Sequence, residues 1–183
     1  MLMNYIHHNG FHIKLQTASV DDKPLLRNLM QLYLYDMSEF TTVDPNRHGM
    51  FDYPYLDHYW TAEGRQQEGR LPILIQINDE VAGFALINQI SLHIPRSGNT
   101  RNLADFFIMR KWRRRSIGKV VVKEIFETYP GHWEIKQQRE NVNALQFWRN
   151  VIDEYTNHGY KEVELHDASW NGWVQEFDNT GRL

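Results

Sequence analysis

Asp105-Phe-Phe-Ile-Met-Arg-Lys-Trp-Arg-Arg-Arg-Ser-Ile-Gly-Lys-Val-Val-Val122 is the stretch on which the fold turns. Asp105 leads four apolar residues that read as a buried strand over residues 105–109. The cations Arg110, Lys111, Arg113, Arg114 and Arg115 follow, and a helix opens at about Ser116. Its apolar body is Ile117, Val120, Val121, Ile125 and Phe126. A cationic turn feeding a helix N-terminus offers an anion a row of backbone N–H groups and the positive end of a helix dipole. The pattern predicts a phosphate or pyrophosphate site; the other reading is a solvated basic turn.

A second segment lies downstream. Ala144, Phe147, Trp148, Val151, Ile152 and Tyr155 recur at the spacing of a helix with one buried face. Asn141 or Asn143 would cap it, with Gly159 as its stop signal. Upstream, residues 11–17 alternate as a first strand after a short head containing His7 and His8. Adjacent histidines on an extended chain do not both face one site, so no metal site is expected there. Ser19-Val-Asp-Asp22 offers an N-cap to a helix carrying Leu25, Leu26, Leu29, Met30, Leu32, Tyr33 and Met37. The aromatic-rich stretch 39–69 predicts a loop with short helices near 55–65. Residues 71–77 and 81–87 predict a hairpin about an Asn78-Asp79 turn, and residues 91–100 a loop. Strands are expected at 132–138, 160–166 and 173–177.

Composition narrows the classes. A chain of 183 residues suits one domain with a sizeable core, and 42% hydrophobic residues argue against disorder. The net charge of −3 gives no general attraction for nucleic acid, so a nucleic-acid contact at the arginine turn is a third-ranked reading. Without cysteine there are no disulfides, thiolate ligands or cysteine nucleophile. No apolar run approaches the roughly 18 residues of a membrane span, and the N-terminus lacks a signal-peptide core, so a cytoplasmic protein is expected.

The two segments together resemble the GNAT superfamily, the acetyl-CoA-dependent N-acyltransferases. The superfamily's acyl-CoA-binding pattern is Gln or Arg, two residues, Gly, one residue, then Gly or Ala, after a strand ending in an aliphatic residue. It falls on Arg113, Ser116 and Gly118, with Ile108 as the aliphatic; Ser116 stands where Gly is common. Asn141, Ala144, Phe147 and Trp148 resemble the element that opens the helix after the fifth strand. The likeness extends over residues 11–177. It implies an α/β GNAT fold as a single domain over 1–183, with a central mixed, mostly antiparallel sheet of six to seven strands. The fourth and fifth strands splay apart, and about four helices pack on the sheet.

The resemblance also implies chemistry. Acetyl-CoA would be the cosubstrate, with no metal, and the acetyl group would pass to a primary amine of a small molecule by direct attack. Arg113, Arg114, Arg115 and Lys119 would meet the phosphates, with Ser116, Ile117 and Gly118 supplying N–H groups. A backbone N–H near Phe107, Ile108 or Met109 would polarise the thioester. The superfamily often has a tyrosine acid where Trp148 stands, and indole does not titrate usefully; Tyr155, two turns on, is a poor substitute. The superfamily's usual glutamate base falls at Asn102 or Ala104. Asp105 is therefore the nearest candidate base, the other reading being a strand-end aspartate held by the arginines; His93 ranks below it. Tyr35, Asp36 and Glu39, with Asp44, form an acidic aromatic rim suited to a cationic acceptor. A non-catalytic acyl-CoA-binding sensor on the same fold is the alternative function. A homodimer is a further expectation.

Overall fold

The computed structural model describes residues 3–95 and 97–181. It holds eight strands and four α-helices. In chain order these are β1 (Met3–His8), β2 (Phe11–Thr17), α1 (Lys23–Met37), α2 (Ala62–Gln67), β3 (Leu71–Ile77), β4 (Glu80–Asn88) and β5 (Thr100–Ile108). Then follow α3 (Ile117–Thr128), β6 (His132–Gln138), α4 (Val142–Thr156), β7 (Lys161–His166) and β8 (Asn171–Asp178). The strand order is β1-β2-β3-β4-β5-β6-β8-β7; β5 and β6 run parallel, while β1 with β2, β2 with β3, β6 with β8 and β7 with β8 pair antiparallel. This is the mixed α/β architecture expected, with one strand more than the six to seven foreseen.

The additional strand is β1, where a short head was expected. Asn9 and Gly10 sit at φ 49° and 79°, the left-handed pair of a two-residue hairpin turn, and β1 pairs with β2 from Met3↔Gln16 to His8↔Phe11. Asn-Gly between two alternating runs is the strongest short hairpin signal, and reading it would have found the strand. Asn78 and Asp79, at φ 51° and 65°, turn β3 into β4 in the same manner. One other boundary differs from expectation: β5 begins at Thr100, inside the expected loop, whereas α4 ends, as expected, at about Asn157, its left-handed C-cap.

The chain divides into two compact units, Met1–Leu86 with Asp105–Met109, and Ile87–Ala104 with Arg110–Leu183. In the first, α1 buries Leu26, Leu29 and Met30 against Leu74 of β3, Phe84 and Leu86 of β4 and Phe107 of β5. Burying side chains of this size removes about 1.5–3 kcal/mol each of unfavourable hydration. Gly83 of β4 permits an unusually close backbone approach. A Cβ there would stand 1.9 Å from the Phe107 carbonyl oxygen, so any larger residue would displace β5 at the point where Ile108 sits.

In the second unit α3 and α4 share a core centred on Phe126, whose ring lies 4.9 Å from Trp133, 5.1 Å from Tyr155 and 4.9 Å from Phe177. β6 pairs with β5 only from Thr100↔His132 to Leu103↔Ile135, while both strands run on beyond those residues.

Candidate active site

The arginine turn belongs wholly to the second unit. Arg110–Trp112 form a 3₁₀ turn with Trp112 buried and Lys111 4.7 Å over its ring. Arg113, Arg114, Arg115 and Ser116 are exposed. Arg114 and Ser116 both adopt φ 59°, the left-handed conformation that costs an L-residue about 1–2 kcal/mol and glycine almost nothing. Glycine's frequency at the Ser116 position therefore has a backbone reason here.

Ser116 is the N-cap of α3 and makes no side-chain cap hydrogen bond. The first helical bond noted runs from the Val120 N–H to the Ser116 carbonyl, so the amides of Ile117, Gly118 and Lys119 precede it. The Lys119 side chain turns elsewhere. Its ammonium and that of Lys123 both donate to Glu154 of α4, and these hydrogen bonds pull the Glu154 carboxyl down to about 2. The Lys119 ammonium is thus committed to Glu154.

At the start of α4 the Asn141 side chain accepts from the Ala144 N–H at 3.0 Å, settling the cap in favour of Asn141 over Asn143. Trp148 is buried with its ring 5.1 Å from Phe147, edge to face. The Tyr155 hydroxyl accepts from Asn179 Nδ2 at 3.0 Å and its ring packs on Phe126 and Phe177, which makes it core.

The other group of candidates lies in the first unit. Asp105, 8% exposed, accepts a hydrogen bond from the Tyr53 hydroxyl, and its charge bears on the Tyr33 phenol as well. Burial, then the Asp105 charge, raise both phenols above their ordinary 10.0, so both stay protonated donors. The Tyr53 hydroxyl is thus one anchor of the Asp105 carboxylate. Tyr53 comes from the loop after α1. Gln31 clamps that loop by donating to the Phe51 carbonyl at 3.0 Å and accepting from the Phe51 N–H at 2.8 Å. Tyr33 lies edge-on to Phe84 and Phe107, giving the carboxylate an apolar flank.

A pocket of about 520 Å³ opens at the end of α1, lined by Tyr35, Ser38, Asp44 and Phe51 among others. Of the four rim residues foreseen, Tyr35 and Asp44 line it; Asp36 is half-buried and Glu39 exposed, and neither belongs to its lining. Of the three amides considered for the thioester, that of Met109 donates to the Ala82 carbonyl at 2.8 Å.

Glu134 of β6 was missed by the sequence reading. Fully buried, it accepts from Ser91 Oγ at 2.5 Å, from the N–H groups of Leu92 and His93, and from Lys136 Nζ at 3.2 Å. Burial works to raise its carboxyl, but these donors win and hold it below its ordinary 4.5. His93 bonds through Nδ1 to Glu176 at 2.9 Å, and Asn102 pairs with Asn88. No group of three metal-ligating side chains occurs among the described residues, and no helix among them is long and apolar enough to cross a membrane.

The profile of the acetyltransferase (GNAT) family matches residues 30–153. In fold the chain is similar to the PaiA N-acetyltransferase from Thermoplasma acidophilum, solved in complex with coenzyme A. The two share 15% identity over 91% of this chain and 99% of that one, with a TM-score of 0.57. It is similar to the GNAT domain of S. lividans PAT at 13% identity over 97% of each chain, with a TM-score of 0.67. A third likeness is the aminoglycoside acetyltransferase AAC(6')-Ib in complex with coenzyme A, at 12% identity over 91% and 94% and a TM-score of 0.61. That enzyme has also been solved with coenzyme A and kanamycin. Identities this low speak for the fold alone. No curated protein matches the chain in sequence.

Proposed function

The chain belongs to the acetyltransferase (GNAT) family, and on that premise we propose that it moves an acetyl group from acetyl-CoA to a primary amine of a small, cationic molecule. The observation that carries the reading is the start of α3: exposed Arg113, Arg114 and Arg115 lead into a helix whose first amides have no side-chain cap from Ser116. That donor set suits a diphosphate, with guanidinium groups at its rim and N–H groups at its base. Acetyl-CoA supplies the activated acyl group.

The protein's part is to hold the reactants and manage one proton. A primary amine of ordinary pKa near 10 arrives protonated at neutral pH and must lose a proton before its nitrogen attacks. In this reading the Asp105 carboxylate receives the ammonium, and Tyr53 fixes its orientation from behind. The backbone of Ile108, three residues along the same strand, lies beside the acyl carbonyl, so one strand presents both base and carbonyl donor. Trp148 fills the position of an acid and supplies none; a thiol of pKa about 8.5 leaves tolerably as thiolate near neutral pH. The pocket bearing Tyr35 and Asp44 receives the remainder of the acceptor through charge and ring contact.

Thermal unfolding with and without acetyl-CoA tests the cosubstrate. At about 100 times its dissociation constant the ligand should add about 2.7 kcal/mol, a clear rise in melting temperature. The rise should vanish in an Arg113→Ala/Gly118→Asp variant; a folded wild type that gains nothing from acetyl-CoA would refute the reading.

A further inference from the structure

Gln137 of β6 is 3% exposed, and neither its Nε2 nor its Oε1 finds a hydrogen-bond partner among the described residues. Buried polar side chains nearly always have partners, so a carboxamide with both ends unmet calls for a ligand or a water. The register of β6 with β8 is unbroken from His132↔Asp178 to Gln138↔Gly172, so Trp133, Ile135 and Gln137 share one face of the strand. That face lies under α3, where Phe126 meets Trp133.

The position along the strand follows from two rises. α3 connects the parallel strands β5 and β6 and so runs antiparallel to both. From Phe126 back to Ile117 the helix climbs about 13 Å. From Trp133 forward to Gln137 the strand advances about 13 Å as well. Gln137 therefore stands level with the first turn of α3, where the phosphate-binding amides are. It also lies two residues past Ile135, the last β6 residue paired with β5.

We propose that the Gln137 side chain recognises the amide-bearing arm of the acyl-CoA cosubstrate. The inference rests on the acetyl-CoA reading above. The arm that joins the diphosphate to the thiol carries two secondary amides. Each offers a carbonyl for Nε2 or an N–H for Oε1, which are the complements the buried carboxamide lacks. A side chain in this place reads the arm separately from the nucleotide, which the arginine turn holds.

The test compares coenzyme A with 3′,5′-ADP, which has the nucleotide but no arm, by calorimetry on wild type and on Gln137→Met. Coenzyme A should bind the variant about 10- to 100-fold more weakly, whereas 3′,5′-ADP should bind both proteins alike. The ligand-free melting temperature of Gln137→Met should stay or rise, because two unmet buried polar atoms are gone. Gln137→Glu keeps the shape and replaces the amide donor; it too should lose coenzyme A and keep 3′,5′-ADP. Coenzyme A affinity within twofold of wild type would overturn the proposal while leaving the cosubstrate reading intact. So would an equal loss for both ligands, or a fall in the ligand-free melting temperature of Gln137→Met, since each marks a structural role. A wild type that binds neither ligand would overturn the cosubstrate reading and this inference together.

Discussion

Asp105 and Glu134 are both carboxylates buried on neighbouring strands of the sheet order, 8% and 0% exposed, and they are satisfied by opposite kinds of partner. Glu134 takes two main-chain N–H groups, the Ser91 hydroxyl and the Lys136 ammonium. Ser91 Oγ in turn accepts from the Ile94 N–H at 2.8 Å, so the carboxylate organises the loop at residues 91–94. To release Glu134 the backbone would have to move. Asp105 accepts from the Tyr53 phenol, a side chain that can rotate and yield a lone pair to an incoming ammonium. The lesson is that a buried charge is not by itself a functional sign; the identity of its donors separates a carboxylate that organises a loop from one for which a role in the chemistry is proposed.

The comparison breaks most visibly at Glu134. Glu134→Leu should cost about 3–5 kcal/mol in chemical denaturation, because Lys136 and two amides lose their acceptor. A loss under about 1 kcal/mol would show the loop to be held by other means. Asp105→Asn should behave in the opposite way. Its near-identical shape leaves stability within about 1 kcal/mol, while turnover of an amine acceptor falls about 100-fold. With acetyl-CoA binding unchanged, that pattern separates proton handling from cosubstrate affinity; retained turnover would remove Asp105 from the chemistry.

The smallest effect is on pH dependence. Glu134's carboxyl is lower in the folded protein than its ordinary 4.5, so the unfolded chain binds the extra proton. Its contribution is therefore complete above pH 4.5 and fades as pH falls through the folded value. Urea titrations of Glu134→Gln should show a shallower loss of stability on acidification than wild type. A parallel loss in both proteins would assign the acid sensitivity to other carboxylates.

Legibility followed distance along the chain. The turn from Arg110 to Ser116 and the helix after it were readable because strand, cations and helix signals stand within eighteen consecutive residues. The α4 segment was readable because one helix carries its whole period. Even there the helix buries Leu145, where the reading chose Ala144 and Phe147, which are half-buried. β1 was equally local, and its Asn9-Gly10 signal was present but unread.

The sequence by itself determined the order of elements, the basic turn before a helix start and the absence of thiol chemistry, since each is set by neighbours in the chain. Tertiary structure alone decided that Tyr53, 52 residues from Asp105, would meet its carboxylate. It also decided that Lys119 would answer Glu154, that Glu134 would hold a loop and that Gln137 would be buried without a partner among the described residues. The reason is physical: periodicity and caps are properties of a few successive residues. A carboxylate's state depends on which donors reach it, and that is fixed only once the chain has packed.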